Sequence, residues 1–236
     1  MRTADYLLPV LLSAGVFLSV KAKKLTLPAA LTAALLGVCL YIGAGYYGIS
    51  MAAVLFFLSA LATANKMAVK EALNVAEKNK GQRTTVQVLA NVGTAGLMGL
   101  LCFFYPAKVD LFRLMMAASL ASAAADTISS EMGTVSGKRF YNIITFRKDQ
   151  QGLDGVISLE GTLFGLAASI IIAVVYVFSF GWKTDFWRII LAGTIGNLAD
   201  SVLGATLERK HYLGNNAINF LNTLIAAVTA MLLYLI

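Results

Sequence analysis

The chain holds one histidine, two cysteines, three prolines and only 13% charged residues, and each shortage closes off a class of function. With His211 alone, a histidine-rich metal centre is excluded and a Ser-His-Asp centre has little to be built from. Cys39 and Cys102 both fall in apolar stretches and imply neither a disulfide framework nor a zinc site. Soluble domains carry roughly 25% charged residues, whereas this chain is 58% hydrophobic with a mean hydropathy of +0.76. It reads as an all-α, polytopic membrane protein with no soluble domain inside it. A secretory leader is not expected. Asp5 precedes the first apolar run, Lys21, Lys23 and Lys24 follow it, and no small-residue cleavage site is evident.

What the chain has in abundance is apolar length. A membrane span takes about 20 mostly apolar residues, and eight are predicted, near 5–20, 26–43, 48–64, 85–105, 110–126, 159–181, 185–206 and 216–236. They form a single transmembrane domain over 1–236, a helix bundle with a polar cavity at its cytoplasmic side. The cytoplasmic loops fall near 65–83, 126–158 and 207–215. Charge sets the sidedness. Lys21, Lys23, Lys24, Lys66, Lys70, Lys78, Lys80, Arg83, Lys138, Arg139, Arg147, Lys148, Arg209 and Lys210 lie on one side, against Arg2, Lys108, Arg113, Lys183 and Arg188 on the other. Fourteen against five puts the large loops in the cytoplasm and both termini outside, with a bacterial plasma membrane as the expected location. The net charge of +7 is then concentrated on the cytoplasmic face, where it meets anionic lipid. Nucleic acid is not implied.

Glycine motifs need their context. Gly43-Ala-Gly45-Tyr-Tyr-Gly48 matches GxGxxG literally, but it lies between two spans with no strand before it, so it predicts a turn between helices. Gly161 and Gly165 form a GxxxG pair, read as close helix packing.

Polar residues concentrate between Ala125 and Gly165. Asp126, Glu131, Asp149, Asp154, Glu160, Lys138, Arg139, Arg147 and Lys148 are nine of the chain's 31 charged residues. Asp126 closes the small-residue run AASLASAAAD, and a helix is expected to carry it to the membrane surface. An acid there costs roughly 2.5–3.5 kcal/mol at a helix centre, which marks it as functional. In the loop before the fourth span, Lys66, Lys70 and Glu77 approximate one helical face, which a solvated surface helix would also explain. Four polar stripes follow at helical spacing: Thr84, Gln87, Asn91 and Thr94; Ser119, Ser122 and Asp126; Gly193, Asn197, Asp200 and Gly204, with Ser201 alongside; and Asn215, Asn219 and Asn222. A single such Asn is adequately explained by interhelical hydrogen bonding. Four stripes near one membrane face, two carrying an Asp, favour one shared cavity.

Asp126, Asp200, Asp154 and Glu131 supply hard oxygen ligands with no competing histidine or thiolate. Magnesium suits such a set, because it keeps waters and binds through one or two carboxylates plus substrate phosphates. Lys138, Arg139, Arg147 and Lys148 could neutralise phosphate oxygens, with backbone N–H groups near Gly133, Gly137, Gly152 and Gly155 as further donors. Topology alone also accounts for these basic residues. Lys70, Arg83 and Ser158 complete the residues expected to contact nucleotide or phosphate.

Several segments carry a resemblance: ALNVAEKNKGQR with VLAN, ADTISSEMG, GLDGVISLEGT, GNLADSVLGATLE and Asn219-Phe-Leu-Asn222. In this order they resemble an integral-membrane family, long filed as a domain of unknown function, that includes plant phytyl-phosphate kinase. The likeness runs from about Ala62 onward, and departs from the family pattern at Asn74, at Lys80-Gly81-Gln82-Arg83 and at Leu153-Asp154. ADTxxSExG, followed by basic residues and a glycine-containing turn, is also similar to the CTP-using dolichol and phytol kinases and CDP-diacylglycerol synthases. The resemblance implies Asp126 and Glu131 as metal or nucleotide ligands, with Asp200 completing the site. It implies CTP as co-substrate and a prenyl monophosphate as acceptor, phosphorylated to the diphosphate. A cytidylyltransferase making a CDP-lipid uses the same reactants, and local sequence does not separate the two. A membrane transporter, its stripes lining a conduction path, is the reading from another class.

Overall fold

The computed structural model describes residues 3–72 and 81–236. Eight helices account for most of them: α1 (Thr3–Lys21), α2 (Leu27–Ala64), α3 (Met67–Ala72), α4 (Thr85–Phe104), α5 (Val109–Ser136), α6 (Leu159–Phe180), α7 (Asp185–Leu203) and α8 (Asn215–Leu235). Strand pairing among the described residues is confined to Tyr141–Asn142 against Val156–Ile157, antiparallel, within the α5–α6 loop, and to two isolated bridges. Six helices are long and apolar enough to cross a membrane: α2, α4, α5, α6, α7 and α8. The chain is thus an all-α polytopic membrane bundle. The first predicted span falls on α1, whose apolar part, Leu7–Lys21, is shorter.

The two predicted spans 26–43 and 48–64 are the two arms of α2. A straight helix of 38 residues would run about 57 Å at 1.5 Å per residue, nearly twice the apolar thickness of a bilayer. The helical geometry breaks at Ala44 and at Gly45, whose φ of 59° suits glycine. The arms then fold back on each other. A Cβ on Gly48 would lie 2.5 Å from the Leu40 carbonyl oxygen, so only glycine fits there. At the far ends of the arms, Lys24 borders the same small pocket as Ala60 and Thr63. The literal GxGxxG motif is this turn.

At the centre runs α5. All twelve residues from Leu114 to Ala125 are buried, as in a helix surrounded by others. The run is rich in Ala and Ser because, in lipid, helices gain little from apolarity alone and associate through close backbone packing and hydrogen bonds. α6 uses its GxxxG pair in this way. A Cβ on Gly161 would lie 3.0 Å from Gly133 Cα, and one on Gly165 would lie 3.0 Å from the Ala125 carbonyl oxygen.

One boundary differs from expectation in a way that matters. α5 does not end near residue 126 but continues to Ser136, where Gly137 N–H caps it on the Gly133 carbonyl at 2.8 Å. The polar segment TISSEMGTVS stays helical because its side chains line protein instead of bulk water. Ser129 and Ser130 also return their hydroxyls to the Asp126 and Thr127 carbonyls. Asp126 therefore sits inside a helix, nearly three turns before its end at Ser136.

The far end of the bundle is closed by polar contacts. Arg113 Nε donates to the Gly43 carbonyl at 2.7 Å, with its guanidinium 5.0 Å from the Phe180 ring centroid. Arg188 pairs with Asp185 at 2.9 Å, and Tyr176 donates to the same carboxylate at 3.5 Å.

Candidate functional site

At the other end, where α5 and α7 finish and α4, α6 and α8 begin, lies a cavity of about 640 Å³. The helix directions matter electrically. α4 brings Gln87, α6 brings Ser158, Gly161 and Thr162, and α8 brings Asn215 and Asn216, all from first turns or caps. Three helix N-termini thus turn their partial positive charge toward one space. α4 and α6 carry side-chain caps, Thr84 and Ser158, whereas α8 starts without one.

The acids come from the helices that end there. α5 supplies Asp126 and Glu131, and α7 supplies Asp200, with Ser201 beside it. The carboxyl groups of Asp126 and Asp200 are within hydrogen-bonding reach of each other. Asp200 is held from behind: Asn222 Nδ2 donates to its Oδ1 at 2.8 Å, and the Ser122 hydroxyl donates to Asn222 Oδ1 at 3.1 Å. Asn222 and Ser122 are fully buried, so this orientation is built into the α5–α8 contact. One turn along α5, Ser129 donates to Asn197 Oδ1 at 2.9 Å and ties α5 to α7. Among the described residues, no Lys, Arg or His forms an ion pair with Asp126 or Asp200.

Glu131 is placed differently. It forms an ion pair with Lys70 at 2.5 Å and accepts the Thr63 hydroxyl at 2.8 Å. Lys70 is 1% exposed, and its ammonium also donates to the Ala62 and Thr63 carbonyls at 2.6 and 3.2 Å. All three of its protons are used. The pair borders the cavity and pins α3 and the end of α2 to α5.

The α5–α6 loop folds along the rim as a short hairpin. Asn142 Oδ1 accepts the backbone N–H groups of Ile144 and Thr145 and sets its turn. Arg209 fastens it, donating from Nη1 to Asp149 Oδ2 at 2.8 Å and from Nε to the Asp154 carbonyl at 2.5 Å, while Gln151 donates to the Thr134 carbonyl. The Gln150 N–H and Arg209 hold the Asp149 carboxyl below its ordinary pKa. Asp154 titrates above its ordinary value because partial burial outweighs the charges of Arg209 and His211.

Of the residues singled out by sequence, Lys70, Asp126, Glu131, Asp154, Ser158, Asn197, Asp200, Ser201 and Asn219 line the cavity. Asn222 stands behind Asp200, and Asn91 lies one turn beyond Gln87, to whose carbonyl it donates at 2.9 Å. Lys138, Arg139, Arg147 and Lys148 are exposed and do not line it. Arg83 borders the small pocket beside Lys24 and does not line the cavity. Glu77 lies outside the described residues. No cluster of three or more His, Cys, Asp or Glu placed to hold an ion occurs among the described residues. The acidic centre is therefore a pair, Asp126 with Asp200. Two adjacent hard-oxygen donors with no cation in contact still suit magnesium, which completes its shell with water and phosphate.

Residues 10–227 match the family described as Integral membrane protein DUF92. The chain belongs to this family. It is 35% identical to the protein VTE6, chloroplastic, of Arabidopsis thaliana, over 84% of this chain and 62% of that one. An uncharacterized membrane protein of Synechocystis is also 35% identical, over 83% of this chain and 77% of its own. One from Methanocaldococcus jannaschii has the same identity over 67% and 68% respectively. The chain thus spans a little under two thirds of the Arabidopsis protein's length. No solved structure matches it. The match agrees with the integral-membrane family recognised from the motifs, and this DUF92 chain shows what those motifs do. ADTISSEMG is one helical stretch carrying both Asp126 and Glu131, and GNLADSVLGATLE carries Asp200 on to Glu208.

Glu208 lines the cavity without having been singled out. Its signal was present: Asp200, Gly204 and Glu208 recur at steps of four along one helix face. The segment Gly204–Glu208 is a π-helical turn, the kind of local widening often found at functional sites.

Proposed function

We propose that this chain is a CTP-dependent prenyl-phosphate kinase of the membrane, phosphorylating a phytyl-like monophosphate to the diphosphate. The observation that carries this reading is the Asp126–Asp200 pair, without a cation in contact, at a cavity ringed by three helix N-termini. Adjacent carboxylates repel unless a cation or a shared proton joins them, and helix N-termini favour anions. A metal-bound polyphosphate answers both demands at once. Asp126 and Asp200 would hold Mg²⁺, which supplies charge neutralisation of the β- and γ-phosphates. The first turns of α4, α6 and α8 would cradle phosphate oxygens. The exposed loop cations would act at longer range and on anionic lipid.

The chemistry asks little else of the protein. An oxygen of the prenyl phosphate attacks the γ-phosphorus of CTP, a new P–O–P bond forms, the β–γ bridging bond breaks, and CDP leaves. The acceptor is already an anion at neutral pH, so no general base is needed, and positioning with charge stabilisation suffices. Ser129–Asn197 and Ser122–Asn222–Asp200 fix the helices that carry the acids, and the apolar bundle wall accommodates the lipid tail. The polar closure of the opposite end, around Arg113–Gly43 and Asp185, favours this enzyme over a transport route. The basic-residue count supports a cytoplasmic position for the cavity.

The test is a double-label experiment on purified protein with magnesium, CTP and a prenyl monophosphate. Label from the γ-phosphate is expected in the lipid, with α-label remaining in CDP. α-Label in the lipid would convert the assignment to CDP-lipid synthesis. Absence of transfer with every nucleotide, together with solute uptake in proteoliposomes, would replace the enzyme by a transporter.

A further inference from the structure

Polarity is not spread evenly around the cavity. The walls given by α4, α5 and α8 carry no large apolar side chain. The five that line it, Phe140, Leu153, Val156, Ile157 and Leu198, come from the α5–α6 loop and from α7. That side of the cavity is also where α6 and α7 part. Deeper in the bundle the two helices touch through small residues: a Cβ on Gly165 would lie 2.7 Å from Asn197 Nδ2, and one on Gly193 would lie 2.8 Å from Ser169 Oγ. About one turn nearer the cavity stand Thr162 on α6 and Ser201 on α7, and both line it. Their hydroxyls turn back to the Ser158 and Asn197 carbonyls of their own chain segments, at 3.0 and 3.5 Å. Among the described residues, no hydrogen bond between these two closes the seam. Leu198 shares the Ser201 side of α7, three residues away. Leu159 and Leu163 on α6 and Val202 on α7 are exposed. The α5–α6 loop roofs this gap. It leads into the first turn of α6 and rests on the turn that follows α7, where a Cβ on Gly155 would collide with Ala205.

We infer that the seam between α6 and α7, beneath the α5–α6 loop, is the port through which the tail of the lipid phosphate leaves the cavity. This rests on reading the cavity as the site of a lipid phosphate acceptor. The helix N-termini and the acid pair serve phosphate and metal, and five apolar side chains on one flank serve neither. They suit the first carbons of a tail, which gain by leaving water. The gap between Thr162 and Leu198 then passes the rest of the chain to the exposed leucines and the surrounding bilayer. Gly165 and Asn197 close the seam below, so the tail leaves sideways at the level of the cavity and does not thread the bundle. A lipid can therefore enter from its own leaflet while its phosphate stays among polar groups.

Photolabelling of the full chain in nanodiscs tests this, with farnesyl monophosphate carrying a diazirine on its terminal isoprene unit and unlabelled farnesyl monophosphate as competitor. Competable label is expected in the α5–α6 loop, the first turns of α6 and the last turns of α7. Leu198→Trp, which fills the port, should weaken the lipid about tenfold, the loss of roughly two buried CH₂ groups. Its affinity for magnesium–CTP should stay within about twofold of wild type, which also reports that the chain is folded. Leu198→Ser adds no bulk at a half-buried position and should weaken the lipid about fourfold, roughly one buried CH₂ group. Competable label confined to α4 or α8, or unchanged lipid affinity in both variants, would overturn the port and leave the kinase reading intact. Dioleoyl phosphatidic acid competing as well as farnesyl monophosphate would support the port and remove the prenyl acceptor. A wild type without competable label would remove the lipid acceptor and the port together.

Discussion

Two acidic centres lie on one helix, five residues apart, and they are built on opposite principles. Glu131 is balanced: Lys70 neutralises it, Thr63 donates to it, and every proton of the lysine is used. Asp126 faces a second acid, Asp200, and the buried groups around them orient Asp200 without cancelling its charge. A centre that satisfies itself has nothing left to bind with. One that concentrates like charge in a cavity is unfavourable until a cation arrives, and that cost is what a binding site exhibits. The sequence motif treats Asp126 and Glu131 as equals; the fold ties Glu131 to Lys70 and leaves Asp126 beside a second acid.

The sharpest way to break this comparison is to neutralise each centre in turn. Asp126→Asn should lower turnover at least about a hundredfold, the scale of losing one charge-stabilising group at a reacting centre. It should leave melting unchanged or raise it, because a like-charge contact has gone. Asp200→Asn should behave the same way, since Asn222 can still bond its side-chain oxygen. Phosphoryl-transfer rates and a thermal melt on the same preparations check both.

Glu131→Gln should do the reverse. It leaves Lys70 buried and unpaired, a change that costs about 3–5 kcal/mol in buried pairs. The melting temperature should fall, while activity per folded molecule stays within about threefold of wild type. The double variant Lys70→Met with Glu131→Leu should recover most of the stability, because no buried charge then remains. If it stayed as unstable as Glu131→Gln, the bracing role would be wrong.

The smallest effects belong to the rim. Combined replacement of Lys138, Arg139, Arg147 and Lys148 by Ala should change turnover by only a few-fold, mostly at low salt, because exposed charges act through a screened field. Asp149→Asn removes the carboxylate that holds Arg209 on the hairpin and should loosen that loop. Proteolysis at the hairpin gives the readout. Because its pKa is lowered on folding, Asp149 adds its share of stability above the ordinary carboxylate pKa. That share is lost as pH falls through the lower, folded value, so between pH 6 and 8 the tie should show no pH dependence.

Much of this fold was legible in the sequence, since apolar runs and helical spacing depend only on local composition. The 26–43 and 48–64 runs, with glycine between them, foretold a break, and the polar stripes marked the faces that now meet at Thr94–Thr223, Ser129–Asn197 and Asn222–Asp200. The site was legible in kind but not in pairing. Nothing in the order of residues says that Lys70 reaches Glu131 across 61 positions, or that the loop cations stay outside. Those outcomes depend on how α3 docks and how the hairpin lies, which are long-range matters. α5 ran past its expected end because polarity alone suggested a loop, whereas a protein-lined cavity supports a polar helix equally well.

Magnesium-dependent binding of CTP, titrated calorimetrically against the wild type, Asp126→Asn and Glu131→Gln, tests the division of labour most directly. The expected result is binding by the wild type that disappears without magnesium, is lost in Asp126→Asn and persists in Glu131→Gln. Retained binding in Asp126→Asn, or its selective loss in a folded Glu131→Gln, would contradict the account.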